Sequence, residues 1–502
     1  VAEQTANTQH DKNSMTCLLL PFVFALAPAR GVRAATAATA GGARASISQM
    51  FLDYAVKTAV PILEQEILQE TIPDQSGKSS GFEYTVSNIK ITQFTVGSPQ
   101  LSFVEAKGLQ MELDGITLRG TMSWRYRGRH WPHVKDHGGG DFEVGGNTHA
   151  AGLLVLSLAS GRPHAALSGA AASLDHFKIK LHGGASWLYN MVVHAFEGHI
   201  KGSIENSLRD EMTDAVDNAL NKEFAKMRLT EKLPFDPPYD IALIDYTFTD
   251  ITTKSDHVSV TVRASINDTS GTQKSFPLPP PALPSTNSSD LGRHHVTLQM
   301  STFPVDSMAY VFYNRGLLRN EVTPKDLDSF GFVLSTDTFL PVAPGLSKWP
   351  HTNMTIDAMV ASLPTSTARF DENELQIDTP AMFAFYVNSP KGRIPVFNIT
   401  GPVVAAAALS VAQTPAGQVL HCKFTNATCA PLAVNATTVG PVDSERISDV
   451  ITFVLDAVVP IANAALAGGL PLPSFEGVEA TNTSITTRDN VCTVCSNVHY
   501  GG

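Results

Sequence analysis

Residues 187–227 constrain the chain more than any other stretch. Leu188, Val192, Phe196, Ile200, Ile204, Leu208, Met212, Val216, Leu220 and Phe224 recur at a strict spacing of four. Each step of four turns about 400° at 3.6 residues per turn, so the apolar stripe drifts slowly around one long amphipathic helix. Lys201, Glu205, Arg209, Asp210, Glu211, Asp214, Asp217, Lys222 and Glu223 occupy the other faces. At about 1.5 Å per residue the helix spans roughly 60 Å, too long for the core of a compact domain. A straight two-helix seam repeats every 3.5 residues, and a drifting stripe suits a helix laid along a curved surface better. A coiled-coil arm is the alternative. Strand-type sequence on both sides favours a helix wrapped on a large antiparallel sheet.

That strand-type sequence has a period of two. Ile89/Ile91, Leu109/Met111/Leu113, Leu154/Leu156/Leu158 and Phe177/Ile179/Leu181 alternate with polar neighbours, which predicts a meander of half-buried antiparallel strands over about 82–180. A first helix is expected from about Ile47 to Gln69, capped by Ser46 or Ser48 and kinked at Pro61, after a small-residue leader ending at Arg44. Five prolines in Ser275–Ser285 mark a semi-rigid linker. It divides a domain over 45–270 from one over 291–490, with 271–290 between them. The second domain opens on strand Val296/Leu298/Met300 and a helical Val305–Arg319. It closes on an amphipathic helix, about Ser444–Ala467, kinked at Pro460. Ala59-Val-Pro-Ile-Leu63 resembles Val458-Val-Pro-Ile-Ala462, an internal echo that supports two related domains.

The remaining signals concern compartment. Residues 15–34 read as a secretory signal after a leader, so 1–34 is expected to be removed. Seven N-glycosylation sequons begin at Asn267, Asn287, Asn353, Asn398, Asn426, Asn435 and Asn482, all in the second half. Cys422/Cys429 and Cys492/Cys495 form two close pairs, read as two local disulfides in an exported chain, with a four-cysteine zinc site as the alternative. Net charge is −11, which argues against a nucleic-acid partner and requires any attraction to anionic lipid to be local. No nucleophile elbow, phosphate loop, dinucleotide fingerprint or HExxH motif is present, so neither an enzyme nor a metal site is expected.

Several segments occur together in a characteristic order. They are Ser46-Ile-Ser-Gln-Met-Phe-Leu-Asp-Tyr-Ala55, Ile72-Pro-Asp74, Gly120-Thr-Met-Ser-Trp-Arg125, the long helix and the proline-rich centre, then Asn314-Arg-Gly-Leu317, Phe339-Leu-Pro341 and Val459-Pro-Ile461 with Leu470-Pro-Leu-Pro473. This order resembles the bactericidal/permeability-increasing protein and lipopolysaccharide-binding protein family, with its lipid-transfer relatives. The resemblance implies an α+β fold in an elongated two-domain boomerang. Each domain would be a twisted, barrel-like antiparallel sheet wrapped by a long kinked helix, the two joined by a central sheet and the proline-rich linker. It also implies a phospholipid in an apolar pocket of each domain. Phe51, Ala55, Ile62, Val192, Phe196 and Ile200 are expected to line one pocket, and Phe312, Val450, Val454 and Val458 the other. Each buried CH₂ of an acyl chain is worth roughly 0.8 kcal/mol. The sequence departs from the family in having no cysteine from 35 to 421 to tie a strand to the long helix.

The most distinctive surface segment is Trp124-Arg-Tyr-Arg-Gly-Arg-His-Trp-Pro-His-Val-Lys135. On a hairpin strand Arg125, Arg127 and Arg129 share a face, with Trp124, Tyr126 and Trp131 nearby and Lys135 beyond. Guanidinium groups hold phosphate bidentately and Trp favours a membrane interface. The position matches the family's basic tip, which is associated with lipopolysaccharide recognition. His130, His133, His137, Asp136 and Asp141 follow no standard metal spacing. The sequence therefore reads as a secreted protein that binds lipopolysaccharide or other anionic amphiphiles in antibacterial defence. An extracellular phospholipid carrier is the alternative, and contact with a membrane surface suits both.

Overall fold

The computed structural model describes residues 40–500, apart from 70, 80, 132, 146, 184–188, 272–274, 329, 366, 373, 415–416, 430–431 and 473–477. The leader and signal expected over 1–34 lie outside the described residues.

The chain opens with strand β1 (Ala43–Ser48) and helix α1 (Gln49–Ile67). The expected helix start is corrected here: Ile47 belongs to a strand, because β1 is paired on both sides and its backbone donors are satisfied in the sheet. Ser48 Oγ accepts the Phe51 N–H at 3.4 Å, so the second of the two cap residues is the one used. Next come β2 (Gln75–Ser79), β3 (Phe82–Thr95), β4 (Thr117–Gly128), β5 (Lys135–Val144), β6 (Arg162–Ser173) and β7 (Lys178–His182). These strands do not form the simple meander expected. β3 skips the hairpin Ser98–Val104/Gly108–Asp114 to pair with β4, and two antiparallel sheets result. One runs β7-β5-β4-β3, with β2 beside β3. The other holds β6, His149–Ala159, Gly108–Asp114 and Ser98–Val104 in that order.

Helix α2 is continuous from Tyr189 to Lys226. It is α-helical over Tyr189–Asp214 and Asn221–Lys226, with a π-helical turn at Ala215–Leu220 between them. The π turn answers the drift in the sequence. A wider turn rotates less per residue, so a step of four falls short of a full turn there instead of overshooting it. Ala215, Val216, Leu220 and Phe224 all stay buried across it. Ile204 and Met212 continue the same buried face.

Strand β8 (His257–Val262), β9 (Val296–Ser301) and helix α3 (Phe303–Asn314) form the middle of the chain. The proline-rich segment packs back here rather than standing free. Phe276 meets the rings of Phe303 and Tyr310 edge-on, both at 5.5 Å, Leu283 is buried, and Arg44 Nη1 donates to Pro284 O at 2.8 Å. The second half supplies β10 (Met354–Val360), β11 (Glu374–Ser389), β12 (Gly392–Thr414), β13 (Gly417–Cys429), β14 (Ala433–Thr437), helix α4 (Ser444–Ala465), β15 (Val478–Arg488) and β16 (Val491–Tyr500). β10 to β13 are consecutive in an antiparallel sheet, with β14 beside β12. A central sheet orders Phe248–Thr253, β8, β1, β9, β16 and β15, so strands from both halves of the chain interleave in it.

Pro61 and Pro460 both lie inside their helices and both face solvent. The carbonyls that lose a helical donor to them belong to Lys57 and Asp456, also exposed, where water can replace the bond.

Neither expected disulfide forms, and all four described cysteines are free thiols. Cys422 and Cys429 lie seven residues apart on the single extended strand β13, roughly 20 Å at about 3.3 Å per residue. A disulfide needs Cα atoms within about 7 Å. Cys492 and Cys495 lie on β16 opposite Met300 and Thr297, an odd spacing that points them to opposite faces of the sheet. Burial pushes the Cys422 thiol up to about 11 and the Cys492 thiol up to about 12.

Candidate functional site

The first helix-on-sheet layer is built by α1. Phe51, Leu52, Ala55, Val56, Ala59, Val60 and Leu63 are buried, the face that an i, i+4 pattern predicts. Phe51 and Ala55 thus lie buried at the helix–sheet interface, whereas Ile62 sits off this face and is half-buried. Tyr54 fastens the helix to the end of the chain: its hydroxyl accepts the Tyr500 N–H at 2.7 Å and its ring stacks on His295 at 5.1 Å. Val192, Phe196 and Ile200 belong to the backbone of α2, but their side chains lie outside the described residues. Further along, α2 is tied to the sheet by Asn221. Its Oδ1 accepts the Ala165 N–H at 2.8 Å and its Nδ2 donates to Ala165 O at 2.7 Å. Glu205 Oε1 accepts the Leu174 N–H at 2.8 Å.

The second layer is built by α4. Asp443 caps it, accepting the Glu445 and Arg446 N–H groups at 3.1 and 3.2 Å. Ile447, Ile451 and Val454 are fully buried against Phe383, Phe385, Phe397 and Ile399, and Val450 packs half-buried beside them. The side chain of Val458 lies outside the described residues. Phe312 does not join this group, which corrects its assignment to the second pocket. Helix α3 turns its buried face back toward the first half, where Phe312 meets Tyr239 at 5.3 Å and Phe235 at 6.4 Å. Ser307 Oγ accepts the Ile266 N–H at 2.9 Å and holds the helix there. Asn463 repeats on β13 what Asn221 does on β6: it accepts the Phe424 N–H at 2.8 Å and donates to Phe424 O at 3.0 Å. Nothing in the sequence marked either asparagine, because the signal is a spatial match between a helix residue and a backbone pair far from it.

The β4–β5 hairpin carries the basic segment. Its alternation sorts the two chemistries to opposite faces: Trp124 and Tyr126 are buried while Arg125 and Arg127 are exposed. The two rings stack 5.8 Å apart at 3°, and Trp124 Nε1 donates to Gly139 O at 2.7 Å. Trp124 therefore packs in the core, which corrects its expected place at a lipid headgroup. A Cβ added at Gly138 would lie 2.8 Å from the Trp124 ring, so this glycine makes room for the indole. Trp131, 88% exposed at the hairpin end, is the aromatic that faces solvent, with Val134 and Lys135 exposed beside it.

Arg127 lies opposite Lys135 on one side and Glu83 on the other, and Arg125 lies opposite His137. Glu83 is shared, 3.6 Å from Lys78 Nζ and 3.7 Å from Arg129 Nε. Among the described residues no carboxylate lies within 4.0 Å of Arg125 or Arg127. The outer face of this sheet carries Lys78, Lys90, Arg119, Arg125, Arg127, Arg129, Lys135, Lys178 and Lys180 against Glu83, Asp141 and Glu143. That is nine cations to three anions, on a chain whose net charge is −11.

The seven sequon asparagines all reach solvent. Asn287, Asn353, Asn426, Asn435 and Asn482 are exposed, and Asn267 and Asn398 half-exposed. Among the described residues no cluster of His, Cys, Asp or Glu could hold a metal ion, and no helix is long and apolar enough to cross a membrane.

Comparison with known proteins decides the family. The model of the N-terminal domain of the LBP / BPI / CETP family matches residues 51–220, and that of its C-terminal domain matches 239–500. The chain belongs to this family. Its members are lipid-binding proteins and not enzymes, and so is this one. It is 25% identical over 476 residues to a bactericidal permeability-increasing protein of Sebastes schlegelii, covering 92% of this chain and 96% of that one. It is 23% identical over 472 residues to the lipopolysaccharide-binding protein of Mus musculus, covering 91% and 94%. A putative BPI/LBP family protein of Arabidopsis thaliana is 25% identical over 469 residues, covering 90% and 91%. The crystal structure of a lipopolysaccharide binding protein superposes with a TM-score of 0.61 at 20% identity, covering 92% of this chain and 99% of that one, so the fold is shared.

Proposed function

We propose that this lipid-binding protein is secreted and captures lipopolysaccharide or another anionic amphiphile in antibacterial defence. The observation that carries the reading is the pair Arg125 and Arg127, exposed side by side with no carboxylate partner among the described residues, in the last turn-proximal pairs of a hairpin whose end presents Trp131. Unpaired guanidinium groups are free to take bidentate phosphate oxygens, and an exposed indole seeks the headgroup layer. Acyl chains would enter between helix and sheet in each half: beside Phe51 and Ala55 under α1, and beside Val450 and Val454 under α4. The two halves would stand as an elongated boomerang about the central sheet, each holding one phospholipid.

The test is binding of the Arg125→Ala/Arg127→Ala/Arg129→Ala variant to lipopolysaccharide and to phosphatidylglycerol vesicles. A loss of about tenfold or more is expected, with a smaller loss at high salt, where screening already weakens the wild type. Undiminished binding would remove the reading. One observation favours a second reading, a phospholipid carrier with no antibacterial role: the net charge of −11 opposes attack on anionic envelopes at long range. Transfer of labelled phospholipid between neutral vesicles, without killing of Gram-negative cells, would establish it.

A further inference from the structure

Three of the seven sequons converge on one surface. Asn398 lies in β12, Asn426 in β13 and Asn435 in β14, all strands of the sheet that packs under α4. Cross-strand partners share a face, as do residues two apart on a strand. Asn426 is opposite Ala406 of β12, which is eight residues from Asn398 and on the same face. Asn435 joins that face through its Oδ1, which accepts the Thr400 hydroxyl at 3.0 Å. The opposite face holds Phe397 and Ile399, fully buried against α4, so the three asparagines are on the outer side.

The ladder partners of Asn398 and Asn426 are small: Ala436 is exposed, and Ala384 and Ala406 are buried between them and their neighbours. Asn398 is paired with Ala384 on one side and Ala436 on the other, and Asn426 with Ala406. Asn435 is the extra residue of a β-bulge, the irregularity that turns a side chain away from the ladder. Asn426 and Asn435 are exposed and Asn398 half-exposed in mid-sheet. A glycan added to the nascent chain must end in solvent once the sheet has closed, and the solvent access of the three asparagines beside short alanine side chains meets that requirement. The basic sheet of the first half differs: Lys and Arg outnumber Asp and Glu three to one on its outer face, and residues 1–266 contain no sequon.

We infer that Asn398, Asn426 and Asn435 carry N-glycans that coat the outer face of the C-terminal sheet, so that this face is held off lipid surfaces and the basic N-terminal sheet is left bare for docking. The inference rests on the secreted reading.

Glycopeptide mapping of the full chain secreted from eukaryotic cells tests it, together with vesicle binding before and after enzymatic trimming of the glycans. Occupancy is expected at all three positions in most molecules, and affinity for phosphatidylglycerol vesicles should stay within threefold on trimming, because docking occurs elsewhere. Modification at Asn353 or Asn482 with Asn398, Asn426 and Asn435 bare would overturn the inference and leave secretion intact. A chain without any glycan would overturn both. A larger change in affinity on trimming would show that the coated face does meet lipid, and would also overturn it.

Discussion

Two tryptophans seven residues apart on one hairpin have opposite duties. Trp124 is buried, stacked on Tyr126 and hydrogen-bonded to Gly139 O, whereas Trp131 is 88% exposed. Truncating Trp124 to Ala should cost about 3–5 kcal/mol, the range for a large aromatic removed from a core, read as a lowered urea midpoint. Truncating Trp131 to Ala should leave that midpoint in place and weaken vesicle binding. Equal unfolding midpoints for the two variants would contradict the assignment. His295 supplies the pH dependence. Burial lowers its imidazole below the ordinary value, and its Nδ1 accepts the Val498 N–H at 3.1 Å while its ring stacks on Tyr54. The unfolded chain takes up a proton near pH 6.5, before the folded one does. The contribution of this group is therefore fully present above about 6.5 and is lost as pH falls toward the lower folded value. Thermal scans from pH 7.5 to 5 should show a decline that a His295→Gln variant flattens.

The long helices were legible because their periodicity is a local property of the sequence. The spacing of four from Leu188 to Phe224 predicts α2, and Ile447 to Val454 predicts the buried face of α4. The π turn at Ala215–Leu220 was not legible, since the same spacing is satisfied by a drifting α-helix or by a helix that corrects the drift. Elements whose identity is fixed by partners far along the chain were misread. β1 looks like the start of a helix until β8 and β9 pair with it, more than two hundred residues later. Phe312 likewise reads as second-half core until Tyr239 is seen against it. At this scale the two asparagine clamps make the prediction. Asn221→Ala and Asn463→Ala each strip partners from a strand's N–H and C=O, and each should cost about 1–3 kcal/mol. Hydrogen exchange should locate the loosening at Ala165 in the first variant and Phe424 in the second. Protection unchanged at those amides would show that the clamps hold nothing.

On the scale of the whole molecule, one sheet face is basic although net charge is −11. The sequence suggests a local tip at Arg125–Lys135, but the face extends to Lys178 and Lys180 of β7 and to Lys90 and Arg119, which only the sheet register brings together. The two expected disulfides failed for a related reason: close spacing in sequence implies proximity only where the chain turns, and β13 and β16 are extended. Thiol titration of the denatured, unreduced protein should accordingly find Cys422, Cys429, Cys492 and Cys495 all reactive. The proposed function puts one lipid between helix and sheet in each half. Native mass spectrometry of the secreted, deglycosylated protein, followed by lipid extraction, tests it most directly. Two phospholipids per chain are expected. A lipid-free mass, unchanged after incubation with phospholipid vesicles, would mean that side chains fill both layers, and would contradict that proposal.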